Sequence, residues 1–156
     1  MKTTAADIMV TEFSTLLPRT PVHDAIKLFQ ETTRKHGRRL FGLIVTDEAL
    51  QLVGMLSMYD ILLYLRPKHI HLYGTMDDVD IGEVIGMMAD RLKTILVGDI
   101  MTPDVVTIEA DTSLMVILDI MIKKHVRRLP VVQSGRIVGI VYISDLFNQL
   151  IMRLGE

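Results

Sequence analysis

Arg128-Leu129-Pro130-Val131-Val132-Gln133-Ser134-Gly135-Arg136-Ile137-Val138-Gly139-Ile140-Val141-Tyr142-Ile143-Ser144-Asp145-Leu146 decides the fold of this chain. Residues 128–132 form a short apolar run with paired valines, the pattern of a buried strand. Ser134-Gly135 is turn chemistry, and residues 136–141 return to β-branched side chains, so the two runs close a hairpin. Ser144-Asp145 then supplies cap chemistry for a helix that carries Leu146, Phe147, Leu150, Ile151 and Leu154 on one face.

Working outward, residues 105–108 (Val-Val-Thr-Ile) read as an earlier strand. Asp111-Thr112-Ser113 opens a helix running to about residue 124, with Lys123 and Lys124 where the helix dipole favours cations. The order is strand, helix, strand, strand, helix.

The same order occurs once before. Asp7-Ile8-Met9 returns as Asp99-Ile100-Met101, and Thr15 as Thr107. His36-Gly37-Arg38-Arg39-Leu40 returns as His125-Val126-Arg127-Arg128-Leu129. Residues 54–61, with Ser57 and Asp60, return as residues 139–146, with Tyr142 and Asp145. In the first copy Thr20 and Pro21 open a helix bearing Val22, Ala25, Ile26 and Phe29, since proline is tolerated in a first turn. Its hairpin loop, 46–51, is longer, and its closing helix, 57–65, stops before Pro67. The spacing of Ile81, Val84, Ile85, Met88 and Leu92 predicts an additional helix over about 79–93. The expected class is therefore α/β (α+β): a βαββα repeat over 1–66, an inserted linker with a helix over 67–97, and a second repeat over 98–156. The insertion belongs to neither repeat, which leaves open a lid, a spacer or a partner surface. Two copies of one unit are expected to pack about a pseudo-twofold axis, with two related sites in the cleft between them.

Composition narrows the function. Hydrophobic residues make up 49% and charged residues 23%, enough apolar surface for a core and unlike a disordered chain. A net charge of −2 argues against a general nucleic-acid binder, which would carry a basic face. The chain has no cysteine, so disulfides, thiolate metal sites and thiol nucleophiles are excluded. No signal-peptide core follows the N-terminal charge, and the apolar stretch 114–122 is broken by Asp119 and too short for a bilayer. A soluble protein of the reducing cytoplasm is expected. No Ser-His-Asp order, Walker loop or Gly-x-Gly-x-x-Gly string occurs, so no catalytic residue is assigned and the chain is not read as an enzyme. His69 and His71 stand at strand spacing, but without cysteine or a carboxylate triad they are not assigned a metal.

Asp99-Ile100-Met101-Thr102-Pro103, Arg127-Arg128-Leu129-Pro130-Val131-Val132 and residues 139–146 resemble a CBS domain, named for cystathionine β-synthase. The first copy resembles the same motif, so the chain is similar to a tandem CBS pair, or Bateman module. That resemblance covers nearly everything except the central insertion. It implies regulatory binding of adenine nucleotides (AMP, ADP or ATP) or S-adenosylmethionine in clefts between paired repeats, with no required cofactor, and signalling to a regulated protein in another chain. It also implies a homodimer through the repeat helices. The near-continuous apolar character of Leu114-Met115-Val116-Ile117-Leu118 and Ile120-Met121-Ile122 accords with that assembly.

A nucleotide asks for an apolar slot, an acceptor for ribose hydroxyls and donors for phosphate. Asp60 and Asp145, matched near the starts of the closing helices, could each accept both ribose hydroxyls. Either could instead complement a helix dipole. Ser57 stands where the resembled motif has Ser or Thr, and its hydroxyl suits a phosphate or ribose oxygen or a helix cap. Tyr142 departs from the motif at the matching position, and Ser144 offers a neighbouring hydroxyl off it. Arg38, Arg39, Arg127 and Arg128 occupy positions that contact phosphate in the resembled family, and guanidinium forks match phosphate oxygens. A solvated strand edge is the alternative for them. Phe41 replaces the proline of the motif in the first copy. Thr15 and Thr107 could reach ribose or phosphate, or serve only as strand residues. The rival reading of the whole chain is a dimerisation or docking scaffold with vestigial or empty clefts, which Tyr142 and Phe41 favour.

Overall fold

The computed structural model describes residues 2–36, 42–66 and 81–155. In chain order the elements of the first half are α1 (Ala5–Ile8), β1 (Thr15–Leu16), α2 (Val22–His36), β2 (Gly42–Thr46), β3 (Leu52–Ser57) and α3 (Met58–Leu65). Then come α4 (Ile81–Thr94), α5 (Val97–Ile100), β4 (Ile108–Glu109), α6 (Leu114–Lys124), β5 (Arg128–Gln133), β6 (Arg136–Tyr142) and α7 (Ile143–Leu154). The βαββα order is thus present twice, in two three-stranded sheets ordered β1-β2-β3 and β4-β5-β6. In each sheet the first two strands are parallel, as a crossover through α2 or α6 requires.

The chain divides into two compact units. A mid-chain unit holds Ser14–Val45 and Val53–Pro103, and a terminal unit holds Met1–Phe13, Thr46–Leu52 and Asp104–Glu156.

In the terminal unit, β5 and β6 pair antiparallel from Arg128↔Tyr142 to Gln133↔Arg136. Ser134 (φ 54) and Gly135 (φ 80) turn the hairpin with both central residues in the left-handed region, which matches the twist of the strands. Leu114, Ile117 and Met121 from α6 pack with Leu129, Val131, Val141 and Leu146 in one core. His125, at φ 53, ends α6 with its N–H donating to Met121 O. The turn Thr46–Leu52 lies in this same unit and docks on the Ser134-Gly135 turn. Leu52 N–H donates to Gly135 O at 3.1 Å, and Arg136 Nε donates to Ala49 O at 3.0 Å. A Cβ on Gly135 would sit 2.2 Å from Gln51 Oε1. Gly135→Ala is accordingly expected to lower stability by about 1–2 kcal/mol, chiefly from the left-handed backbone, as a reduced urea midpoint would record.

The mid-chain core collects Leu16, Val22, Ala25, Phe29, Leu43, Val45, Leu56 and Ile61. The inserted helix, expected over 79–93, is α4 at Ile81–Thr94, and it packs into the mid-chain core. Leu92 is 8% exposed within this core, with Ile95 packed beside it. Arg91 lies over the Tyr64 ring at 4.6 Å and donates to Tyr64 O, joining α4 to α3.

Two more boundaries differ from expectation. The strand expected over 105–108 shrinks to Ile108–Glu109. Its register, Ile108↔Val131, would set Thr107 against Pro130, which has no N–H to continue the ladder. Ser144-Asp145 does not precede α7 but lies in its first turn. The strand β6 runs on to Tyr142, and Ile143 N–H donates to Arg127 O at 2.8 Å, so Tyr142 takes the N-cap position.

The Asp-Ile-Met motifs hold the largest surprise. Asp7 Oδ2 accepts Thr4 N–H at 2.8 Å and Asp99 Oδ2 accepts Leu96 N–H at 3.0 Å, so each aspartate closes the start of a one-turn helix. The first motif, however, packs on the second sheet. Val10 and Ile140 exchange backbone hydrogen bonds of 2.8 and 2.9 Å, and Ile8 joins the terminal core. The second motif packs on the first sheet, where Met55 and Thr102 exchange bonds of 2.9 and 2.8 Å. Glycine permits both approaches. A Cβ on Gly139 would stand 2.5 Å from Met9 Sδ, and one on Gly54 would stand 2.7 Å from Met101 Sδ and 2.9 Å from Thr102 O.

Candidate functional site

In the mid-chain unit the site is the corner where β3 turns into α3. The glycine and alternating apolar residues of Leu52–Ser57 form the strand, and Ser57 breaks into the helix with extended dihedrals (φ −101, ψ 161). Ser57 Oγ accepts Asp60 N–H at 3.0 Å, and Asp60 Oδ2 accepts Ser57 N–H at 2.9 Å. This reciprocal capping box satisfies two donors that a helix start leaves open. The cap role considered for both residues is therefore real. It does not exhaust the carboxylate, which offers about four acceptor positions. Asp60 is only half-buried, so its remaining positions can meet a ligand.

Thr102, which the sequence reading passed over, also reaches this carboxylate. Its hydroxyl lies 3.4 Å from Asp60 Oδ1 and 3.5 Å from Oδ2. The available signal was its place directly after the second Asp-Ile-Met, where the first motif has Val10. Thr15 is half-buried on β1 opposite Ile44, so β2 separates it from the strand that ends in Ser57. Arg38, Arg39 and Phe41 lie outside the described residues.

The matching corner of the terminal unit joins β6 to α7. Tyr142 contributes no side-chain cap to the helix, unlike Ser57. Asp145 is half-buried and Ser144 exposed, both in the first turn of α7. Arg128 opens β5 directly opposite Tyr142 and is half-buried, while Arg127 is exposed. The pairing thus brings Arg128 and the start of α7 to one end of the hairpin: a guanidinium and a carboxylate on adjacent elements. Thr107 precedes β4 on the other side of β5; the parallel register sets it level with Pro130, two residues from Arg128, so it lies toward the same end of the sheet with β5 between it and β6. His69 and His71 lie outside the described residues, among which no group of three or more His, Asp or Glu is placed to hold a metal. No helix among the described residues is long and apolar enough to cross a membrane.

Two carboxylates at matched corners, one with a serine cap and one with a nearby arginine, could bind a ligand that has both hydroxyls and anionic groups. Known proteins carry the same frame. A solved structure of CBSX2 in complex with AMP is 28% identical, with a TM-score of 0.69, and the match covers 96% of each chain. A CBS domain-containing protein of unknown function from Kribbella flavida shares the fold at a TM-score of 0.77 and 18% identity, covering 95% of this chain and 98% of its own. The chloroplastic CBS domain-containing protein CBSX1 of Arabidopsis thaliana is 33% identical over 134 residues, which is 80% of this chain and 53% of CBSX1. The chain thus spans about half the length of that relative. The family description that matches is the CBS domain, over residues 5–67 and again over 97–151. This chain belongs to the CBS domain family and carries that domain twice.

Proposed function

We propose that this chain is a non-catalytic regulatory module that binds an adenine nucleotide, AMP, ADP, ATP or S-adenosylmethionine, and signals its occupancy to a partner protein in the cytoplasm. The observation that carries the reading is the matched pair of first-turn carboxylates, Asp60 on α3 and Asp145 on α7. A ribose diol suits such a carboxylate, and Arg128, with Arg38, Arg39 and Arg127 from the sequence, suits the phosphate. Ser57, Ser144, Thr15 and Thr107 are the hydroxyl contacts of this reading. The AMP complex of CBSX2, a relative at 28% identity, supports adenine as the base. Ligand binding would act by favouring one conformation that the partner recognises. Isothermal titration of nucleotide-stripped protein with the four ligands tests the proposal. Saturable heat with at least one is expected, and none with any would overturn it.

A scaffold with empty sites is the second reading, and Tyr142 in place of a capping serine favours it for the α7 corner. Under either reading we propose a homodimer. Met115, Val116 and Ile122 on α6 and Phe147, Ile151 and Leu154 on α7 are exposed, and apolar surface on that scale calls for cover. Sedimentation at twice the 17.7 kDa chain mass is expected, and Phe147→Asp, on a 60% exposed side chain, should shift the protein to monomer. A wild-type monomer at micromolar concentration would refute the assembly.

A further inference from the structure

The carboxylate of Asp60 is reached from two directions of the chain: it accepts Ser57 N–H at its own helix start, and the Thr102 hydroxyl of the second Asp-Ile-Met segment lies beside it. The backbone bridge between Thr102 and Met55 fixes that threonine beside β3, two residues before Ser57. Its hydroxyl spans both carboxylate oxygens, at 3.4 and 3.5 Å, while Oδ2 also accepts Ser57 N–H at 2.9 Å. Among the described residues, Ser57 N–H and the Thr102 hydroxyl are the two donors that reach this carboxylate, which has about four acceptor positions. Two remain, which is the number that the cis-diol of a ribose needs. A carboxylate oriented before the ligand arrives loses less freedom on binding it.

The equivalent residue in the terminal unit is Val10, bridged to Ile140 just as Thr102 is bridged to Met55. Valine brings the same backbone pairing and no hydroxyl. The two corners therefore differ at a position that no motif of the closing helices reveals.

We propose that Thr102 is a positioning residue for Asp60, and that its hydroxyl confers on the Asp60 site a preference for ribose over 2′-deoxyribose. The inference rests on the nucleotide reading above. It is tested by isothermal titration of the full chain with AMP and with 2′-deoxy-AMP, in the wild type, Thr102→Val and Thr102→Ser. The wild type is expected to prefer AMP by about tenfold, since losing one hydroxyl abandons one bond to a charged acceptor. Thr102→Val should weaken AMP about five- to tenfold, leave 2′-deoxy-AMP within about twofold, and so erase most of the preference. Thr102→Ser should restore it. The backbone bridge does not use the side chain, so the valine variant should fold. Should its circular dichroism show otherwise, Thr102→Ala is read for the same ratio. A Thr102 variant that keeps the wild-type preference overturns this inference and leaves nucleotide binding standing. Wild-type protein that binds neither overturns AMP as the ligand of the Asp60 site, and this inference with it, while the nucleotide reading then stands or falls on ADP, ATP and S-adenosylmethionine.

Discussion

Replacing Asp60 by alanine is expected to weaken AMP binding by about a hundredfold or more. Two ribose hydroxyls donating to a carboxylate contribute roughly 1.5–3 kcal/mol each, and about 1.4 kcal/mol is a factor of ten in affinity. Losing both bonds therefore reaches the hundredfold range even at the low end. The same substitution removes the acceptor for Ser57 N–H, so a second and smaller effect accompanies the first: a stability loss of about 0.5–2 kcal/mol from the damaged cap. Asp60→Asn separates the two. It keeps an oxygen for the cap, and its neutral amide is a weaker acceptor for the sugar. Titration calorimetry reads the affinity, and urea unfolding reads the cap. AMP affinity within threefold of wild type in a folded Asp60→Ala protein would remove Asp60 from the site. Asp145→Ala should cost less, because Tyr142 does not complete a capping box there and Val10 stands where the other corner has Thr102.

The second large effect concerns the fold. Gly54→Val is expected to destabilise the protein by about 3 kcal/mol, near the upper end for an overpacked core. A Cβ at this position meets Met101 Sδ at 2.7 Å and Thr102 O at 2.9 Å. The sulfur can swing aside, since methionine is flexible. The carbonyl cannot, because it accepts Met55 N–H in the bridge to β3. At this chain length each kcal/mol lowers the thermal midpoint by roughly 2–4 °C, so a fall on the order of 10 °C is expected in a melting experiment. Gly139→Val should cost less, since all three nearest atoms there belong to the Met9 side chain. Equal midpoints for the two variants would contradict this account of the backbone contact.

The β5-turn-β6 hairpin was legible in the sequence because its determinants are local: β-branched runs on both sides of Ser134-Gly135. The closing helices and α6 were legible for the same reason, through Ser57, Ser113 and the apolar residues that follow. Asp60 and Asp145 stood out because the repeat places them at matched positions. What stayed hidden is non-local. Nothing in Asp7-Ile8-Met9 says which sheet edge it will join, and the contact between Met9 and Gly139 is set by tertiary packing. Thr102 looks ordinary before a proline until its hydroxyl is seen beside Asp60. The shortening of β4 depends on a register that puts Thr107 against Pro130, and register is a property of two strands rather than one. The packing of Leu92 shows the same limit: helical spacing announced α4 but not the core that receives it.

The placement of the N-terminal motif on the second sheet also sets an order of events during synthesis. Val10 needs Ile140 to complete its bridge, and Ala5 N–H needs Thr112 O. A ribosome adding about 5–20 residues per second would leave roughly 7–25 s between the emergence of those two partners, Val10 and Ile140. Throughout that interval Ala5 and Ile8, both buried in the finished fold, have no core to enter. The mid-chain unit, whose last segment ends at Pro103, can close first. The terminal unit has to wait for β6, and its opening residues stay uncovered until then.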